Sequence, residues 1–282
     1  MSKIAIVTDS TAYIPKERRE ELGVTMVPLN VVFGEESYAE EVEISTSQFY
    51  EKMKSSEELP KTSQPAVGLF AETFERLQNE GYDAIITIHL SSGISGTYQT
   101  AITAAGMVDG IEVFGFDSEI SCMIQGYYVI EAAEMAEAGK SVDEIFTRLN
   151  QMKESMRAYF MVDDLNHLHR GGRLNGAQLV VGSLLKIKPV LHFENKVIVP
   201  YEKVRTAKKA LSRIYSLLDE DASTGAPIRA TVIHANRPDE AKEIETELEN
   251  KYDNVDIEIS HFGPVIGTHL GEGSLGIGWY KK

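Results

Sequence analysis

Two short apolar runs each hand the chain to a cluster of hydroxyls. Residues 3–7 (KIAIV) run into Thr8-Asp9-Ser10-Thr11, and residues 83–90 (DAIITIHL) into Ser91-Ser92-Gly93-Ile94-Ser95-Gly96-Thr97. Uninterrupted β-branched runs of this length read as buried strands, and the hydroxyl and glycine clusters as the loops they feed. Helical patterns separate them. Pro15 suits the first turn of a short helix to Leu22, residues 47–54 form another, and Thr62-Ser63-Gln64-Pro65 opens a better one. In that helix Thr62 or Ser63 caps, Pro65 lies near the start, and Leu69, Phe70, Phe74 and Leu77 form the apolar stripe. Residues 24–33 read as a strand in which Pro28 marks an edge or bulge. A helix to about Ala105, a strand over 112–116 and helices over 120–138 and 142–156 complete the first half. Ser141 and Glu144 have capping-box spacing in the last of these. Strand and helix in alternation predict a parallel α/β sheet.

The second half reads differently. Residues 189–193 and 196–202 flank Glu194-Asn195 as a hairpin, after a strand over 159–162 and a helical stretch over 163–169 stopped by Gly171-Gly172. A helix over 205–218, a strand over 229–234, a helix over 238–252 and a strand over 255–261 follow. The acidic run 219–225 reads as an exposed connector, and the glycine-dense tail 263–279 as loop. The expected protein has two α/β lobes, 1–158 and 159–282, with the chain free to cross between them.

Charge and cysteine content remove several classes of function. With 28 Lys+Arg against 43 Asp+Glu the formal charge is −15, which repels nucleic acid and anionic membranes from any broad face. The single cysteine, Cys122, allows neither an internal disulfide nor a multi-cysteine metal site. The N-terminus reaches Asp9 without a secretory apolar region, and no run approaches the roughly 18 apolar residues of a membrane span. A cytoplasmic protein with no membrane segment and no nucleic acid partner is expected.

The chemistry gathers where strands meet helices. A helix start offers free N–H groups and partial positive charge, and hydroxyls beside it suit a carboxylate or phosphate. The segments around Thr62 and Ser95 have this character, although plain capping by either residue accounts for it equally simply. Ser95 also admits a nucleophile reading, but Gly93-Ile94-Ser95-Gly96 is one residue short of the hydrolase elbow. His89, His234, His261 and His269 are the imidazoles that could serve such a serine. No Gly-x4-Gly-Lys-Ser/Thr and no opening Gly-x-Gly-x-x-Gly occurs. His167 and His169 stand two apart, so on a helix they cannot grip one ion, and no metal site is expected. Arg170-Gly171-Gly172-Arg173 serves a solvated turn or an anion or partner contact alike. His269 lies in a run whose glycines suit close backbone approach.

In order along the chain, Thr8-Asp9-Ser10-Thr11, Thr62-Ser63-Gln64-Pro65, the segment Ser91 to Gln99, Gly171-Gly172-Arg173-Leu174, Lys188-Pro189 and the Gly-Pro…His tail resemble the DegV family over essentially the whole sequence. The resemblance implies two α/β domains, a parallel N-terminal one and a mixed C-terminal one, that enclose a long-chain fatty acid between them. It also implies a carrier without chemistry of its own, the acyl-binding subunit of fatty acid kinase. Such a subunit presents the carboxylate to a separate ATP-binding kinase subunit for acyl-phosphate formation in phospholipid metabolism. Carried over by residue, it places the carboxylate on Thr62, Ser95 and the Gly96 N–H, with His269 at the head group. Arg205 is implied near the kinase surface, and Arg170 and Arg173 are read as partner or head-group contacts. Thr268 stands where the family often has Gly or Ala.

No cofactor is expected beyond the bound acid, and no residue is assigned a catalytic role. Phe70, Leu69, Ile94, Met123, Leu184, Leu185 and Ile187 are candidates for an apolar tunnel, ordinary core being the other role open to each. The alternatives are a serine acyl hydrolase centred on Ser95 and, more remotely, an enzyme acting on a small phosphorylated substrate.

Overall fold

A computed structural model describes residues 3–56, 58–174 and 188–282. The chain opens with β1 (Ile4–Asp9), a single 3-10 turn (Ser10–Ala12) and α1 (Lys16–Glu21), then β2 (Thr25–Val27), β3 (Asn30–Phe33), β4 (Glu36–Ala39), α2 (Thr46–Ser55) and β5 (Lys61–Ser63). It continues through α3 (Val67–Asn79), β6 (Ala84–His89), α4 (Thr97–Ala105), β7 (Glu112–Asp117), α5 (Cys122–Glu137) and α6 (Val142–Ser155). β8 (Arg157–Met161), α7 (Leu165–Arg170), β9 (Val190–Glu194), β10 (Val197–Glu202), α8 (Ala207–Ala222) and β11 (Ile228–His234) come next. α9 (Pro238–Lys251), β12 (Val255–His261), α10 (Pro264–Leu270) and β13 (Leu275–Lys281) end the chain.

The fold is mixed α/β. A parallel sheet in the order β2-β1-β6-β7 carries the two hydroxyl-bearing loops at the carboxyl ends of β1 and β6. A six-stranded mixed sheet, β10-β9-β8-β13-β11-β12, forms the other lobe, and a small antiparallel sheet, β4-β3-β5, sits beside the first. One large apolar cluster crosses between the lobes, from Ile4 and Ile88 through Tyr127 to Phe160, Leu191 and Phe262. Two smaller clusters lie under α3 and α4 and under α8 and α9. α5 has no exposed apolar stripe to spare. It is buried from Cys122 to Ile130, as a helix wedged between sheets must be. The capping box of Ser141 and Glu144 forms as its spacing predicts.

Four expectations are corrected. Thr62 and Ser63 are strand residues, because residues 61–63 pair antiparallel with β3, and α3 starts only at Val67 behind Ala66. The stretch 24–33 divides at Pro28, which cannot donate to a ladder, so its two halves enter different sheets. The acidic connector is shorter than read, since α8 runs on to Ala222. The tail is no loop: α10 and β13 occupy it, and β13 lies between β8 and β11, antiparallel to both. Along β13 Leu275, Ile277 and Trp279 face α8 and α9, so Gly276 and Gly278 face the other lobe.

Candidate functional site

The site begins with Asp9, which ends β1 and is fully buried. Its Oδ1 accepts the Thr11 N–H at 3.0 Å and the Thr11 hydroxyl at 2.6 Å, and its Oδ2 accepts Leu90 N–H at 3.0 Å. His89 Nδ1 lies 2.9 Å from the same oxygen and Gln125 donates to it at 3.2 Å. Burial alone would raise the Asp9 carboxyl, but His89 and the other donors hold it below its ordinary range. This network locks the ends of β1 and β6 together and so fixes where the following loop begins.

That loop is held again at its far side. Asp117, ending β7, accepts Ser92 N–H at 3.1 Å, the Ser92 hydroxyl at 2.6 Å and Lys196 Nζ at 2.9 Å. Against the cost of burial, Ser92 and Lys196 lower its carboxyl. Ser95 then hydrogen-bonds the Thr97 hydroxyl at 2.9 Å and accepts Thr97 N–H at 3.3 Å, while the helix cap itself is Gly96. A side chain at Gly96 would put Cβ 2.1 Å from the Gln64 Oε1 and so displace the Gln64 amide, which here donates to the Thr100 hydroxyl at 2.7 Å.

The third contributor comes from the other end of the chain. α10 delivers His269, whose Nε2 lies 2.9 Å from the Thr62 hydroxyl. Burial, joined by the charges of Arg173 and His167, pushes this imidazole down to about 3, so the ring is neutral, and its Nδ1 has no hydrogen-bond partner among the described residues. Gly171 has to be a glycine for this arrangement, since a Cβ there would stand 2.3 Å from that Nδ1. α10 is seated by Glu40, a buried carboxyl that accepts Val265 N–H at 2.8 Å, the Tyr13 hydroxyl at 2.9 Å and the Ser10 hydroxyl at 2.5 Å. Burial raises Glu40 to about 8 in spite of these donors.

Thr62, Ser95, Gly96, His269 and Arg173 all line one cavity of about 290 Å³. Arg173 reaches it from the turn after α7, with Nε donating to Ile94 O at 3.1 Å and Nη1 to Gly171 O at 2.6 Å. Hydroxyls, a helix start and a guanidinium around one space favour an anion the size of a carboxylate. On its outer side lies an open groove of about 580 Å³, lined by Lys61, His167, Arg170, Arg173 and His269. On its inner side Ile94 and Ile266 also wall a narrow slot of about 40 Å³ that is almost wholly apolar. Cys122, Ile124, Phe160, Phe193 and the two glycines of β13 continue that slot between the sheets.

Several residues marked from sequence lie away from the cavity, Arg205 among them as a surface role allows. Arg205 is exposed in the turn before α8 and lines neither cavity nor groove. Of the tunnel candidates Ile94 lines the slot, Leu69 is 39% exposed, and Phe70 is a buried residue of α3 packed against the parallel sheet with Val7 and Ile85. Met123 lies in the interlobe core away from the slot, and Leu184, Leu185 and Ile187 fall outside the described residues. Ser95 bonds Thr97 and no imidazole. His89 is spent on Asp9 and Thr87, His234 accepts Arg237 N–H at 3.1 Å, and His261 lies against Tyr13. Gln64, Glu40, Asp117 and Lys196 were not singled out from sequence. Buried carboxyls carry no local signature, though Gln64 stands inside a motif already marked. Among the described residues no three His, Cys, Asp or Glu groups could hold a metal, and no helix is long and apolar enough to cross a membrane.

A polar, cation-bearing cavity beside an apolar slot between two α/β lobes has the chemistry of a site for an amphipathic anion. Residues 3–282 match the family model described as "Uncharacterised protein, DegV family", and the chain belongs to the DegV family. It is 61% identical over 280 residues to a DegV domain-containing protein of Halalkalibacterium halodurans and 60% identical to Protein DegV of Bacillus subtilis, covering 99% of both chains in each case. Among solved structures it is similar to DegV from Bacillus subtilis, described as a fatty acid binding protein, with a TM-score of 0.95, 59% identity and 100% of each chain covered. A DegV family protein from Thermus thermophilus, also described by its fatty acid binding, gives a TM-score of 0.92 at 31% identity, covering 99% of this chain and 100% of that one.

Proposed function

We propose that this protein binds a long-chain fatty acid, with the carboxylate in the cavity of Thr62, Ser95, Gly96, Arg173 and His269 and the tail in the apolar slot. The observation that carries the reading is the shared wall: Ile94 and Ile266 line both spaces, so the polar cavity and the apolar slot adjoin, as the head and tail of one acid require. The fatty acid binding described for the similar structures supports it. The energetics agree. A sixteen-carbon tail gains about 0.8 kcal/mol per buried methylene, on the order of 12 kcal/mol before ordering costs. The head-group bonds add less and fix which end is outermost.

The chain then acts as a carrier. The outer groove meets the cavity at Thr62, Arg173 and His269, so a partner docked there would meet the carboxylate. We assign the phosphoryl transfer to a separate kinase subunit, and Arg170 and Arg205 to its docking. Mass spectrometry of the purified protein under native conditions, followed by solvent extraction, tests the first step. A co-purifying long-chain acid is the expected result. A bare protein that takes up no added acid, or one holding a sugar phosphate, overturns the reading.

A further inference from the structure

The β9–β10 hairpin belongs to the C-terminal sheet, yet its tip is tied to the N-terminal lobe. Asn195 and Lys196 both adopt left-handed backbone, at φ 48° and 71°, which makes the tight two-residue turn. The Lys196 carbonyl accepts the Ser91 hydroxyl at 2.6 Å, and Lys196 Nζ lies 2.9 Å from Asp117. Gly93 allows the approach, since a Cβ there would stand 2.3 Å from the Lys196 oxygen. The tip therefore rests on the loop that carries Ser95.

Behind the tip the hairpin has little support. β9 pairs with β8 only at Tyr159↔His192 and Phe160↔Leu191, so from Phe193 onward it leaves its neighbour. A solvent-open cleft of about 310 Å³ fills the gap, lined by Lys153, Arg157, Tyr159, Phe193 and Lys196. Phe193 lines both this cleft and the apolar slot, as do Ala158 and Tyr159. Its ring centroid lies 6.3 Å from that of Phe160 on the slot side. With about 40 Å³ free, the slot admits a long chain only if part of its wall moves. Among the described residues, a wall on a splayed hairpin, held at its tip by Ser91 and Asp117 and along β10 by a single bridge from Ile198 to Leu174, is a part that moves at low cost.

We propose that the hairpin tip is the gate by which an apolar chain enters and leaves the slot, with Phe193 as the door and Lys196 as its latch. The inference rests on the fatty acid reading above. It makes Lys196 a positioning residue as well, because the same contacts hold the head-group loop. The strength of the latch is bounded. The Lys196 side chain is 43% exposed against 9% for Asp117, so the ion pair is partly screened and a modest effect is expected.

The test is displacement of a fluorescent sixteen-carbon acid by excess unlabelled acid, followed in stopped flow. Lys196→Met should speed release roughly threefold to tenfold, and Lys196→Arg should stay near the wild-type rate. Adding Ser91→Ala to Lys196→Met should speed it further. High salt should accelerate release from the wild type more than from Lys196→Met, where only the head-group contact with Arg173 is left to screen, a difference that a purely structural role would not produce. Phe193→Ala supplies a second route to the same answer, since it removes the door and keeps the latch. Bound acid whose release is unchanged in both Lys196→Met and Phe193→Ala overturns the gate and leaves the binding function standing. A wild type that takes up no labelled acid overturns both.

Discussion

At the scale of single residues, Ser95 and His269 separate the carrier from its rivals. Ser95→Ala removes one hydrogen bond to a charged head group, worth about 1.5–3 kcal/mol, so acid affinity should fall roughly tenfold to a hundredfold while the melting temperature holds. A nucleophilic Ser95 would instead label with a fluorophosphonate probe, and labelling of the wild type lost in the alanine variant would establish hydrolase chemistry. His269 makes a prediction in pH. Burial, with the charges of Arg173 and His167, sets its imidazole at about 3 against an ordinary 6.5. Between those values the unfolded chain takes up a proton that the folded chain refuses, so stability falls as the pH falls. The slope from this group is about 1.4 kcal/mol per pH unit. His269→Asn should flatten the acid decline by about that amount in unfolding free energies from urea titrations between roughly pH 4 and pH 5.5, where the unfolded imidazole is charged and the folded one is not. Parallel slopes would mean that the folded imidazole is charged. Glu40 works in the opposite direction: its folded value of about 8 lies above the ordinary 4.5, so its contribution is fullest in acid and is lost as the pH rises toward 8.

At the scale of elements, β13 shows why pattern reading stops where it does. Gly276 and Gly278 alternate with Leu275, Ile277 and Trp279, a period-two pattern with one face left blank. Glycine is poor in strands by propensity, and five neighbouring glycines from 263 to 276 make the tail look like loop. What overrides propensity is ladder pairing on both sides, which only the folded sheet supplies. The blank face has a use, since it is the floor of the slot. A Cβ on Gly278 would stand 2.0 Å from Ile124 Cδ1 and 3.1 Å from Arg157 O. Gly278→Ala should therefore destabilise by about 1–3 kcal/mol through overpacking, and Ile124→Ala in the same chain should recover part of the loss. Denaturant midpoints of the single and double variants decide it. Additive losses would mean that the two side chains do not compete for space. The loops after β1 and β6, by contrast, were legible, because strands buried on both faces and hydroxyl-rich endings are local patterns.

At the scale of the whole molecule, a formal charge of −15 surrounds a groove where Lys61, Arg170 and Arg173 outnumber Glu58. On the carrier reading, such a contrast would steer an acidic partner surface toward the groove. If the carrier reading holds, the lone chain mixed with ATP and acid should yield no acyl phosphate, since it has none of the recognisable apparatus for holding a triphosphate and its Mg²⁺. ATP turnover by the purified chain would sink that model. Arg205 lies outside both cavity and groove, so Arg205→Glu should lower acyl-phosphate formation with added kinase subunit more than it lowers acid affinity. Equal losses in the two assays would make Arg205 a support of the pocket.

The division between what sequence determined and what folding decided follows from the range of the forces. Parallel α/β architecture, most helices and the two hydroxyl loops follow from periodicity, caps and short runs, all of which act within a few residues. The resemblance to the DegV family named Thr62, Ser95, Gly96 and His269 for the head group and charge marked Arg173 as a partner or head-group contact, and all five meet around one cavity. The meeting itself joins positions up to 207 apart in the chain, through the Thr62–His269 hydrogen bond. Glu40 seats α10 across 225 residues, and Lys196 ties the hairpin to Ser91 across 105. Contacts at such separations leave no local pattern, because nothing in the neighbourhood of Glu40 or Lys196 distinguishes them from other surface charges. The blank face of β13 and the slot above it exist only once strands from the first and last parts of the chain lie side by side. Tertiary structure decided these, since burial and long-range hydrogen bonds are properties of the packed whole.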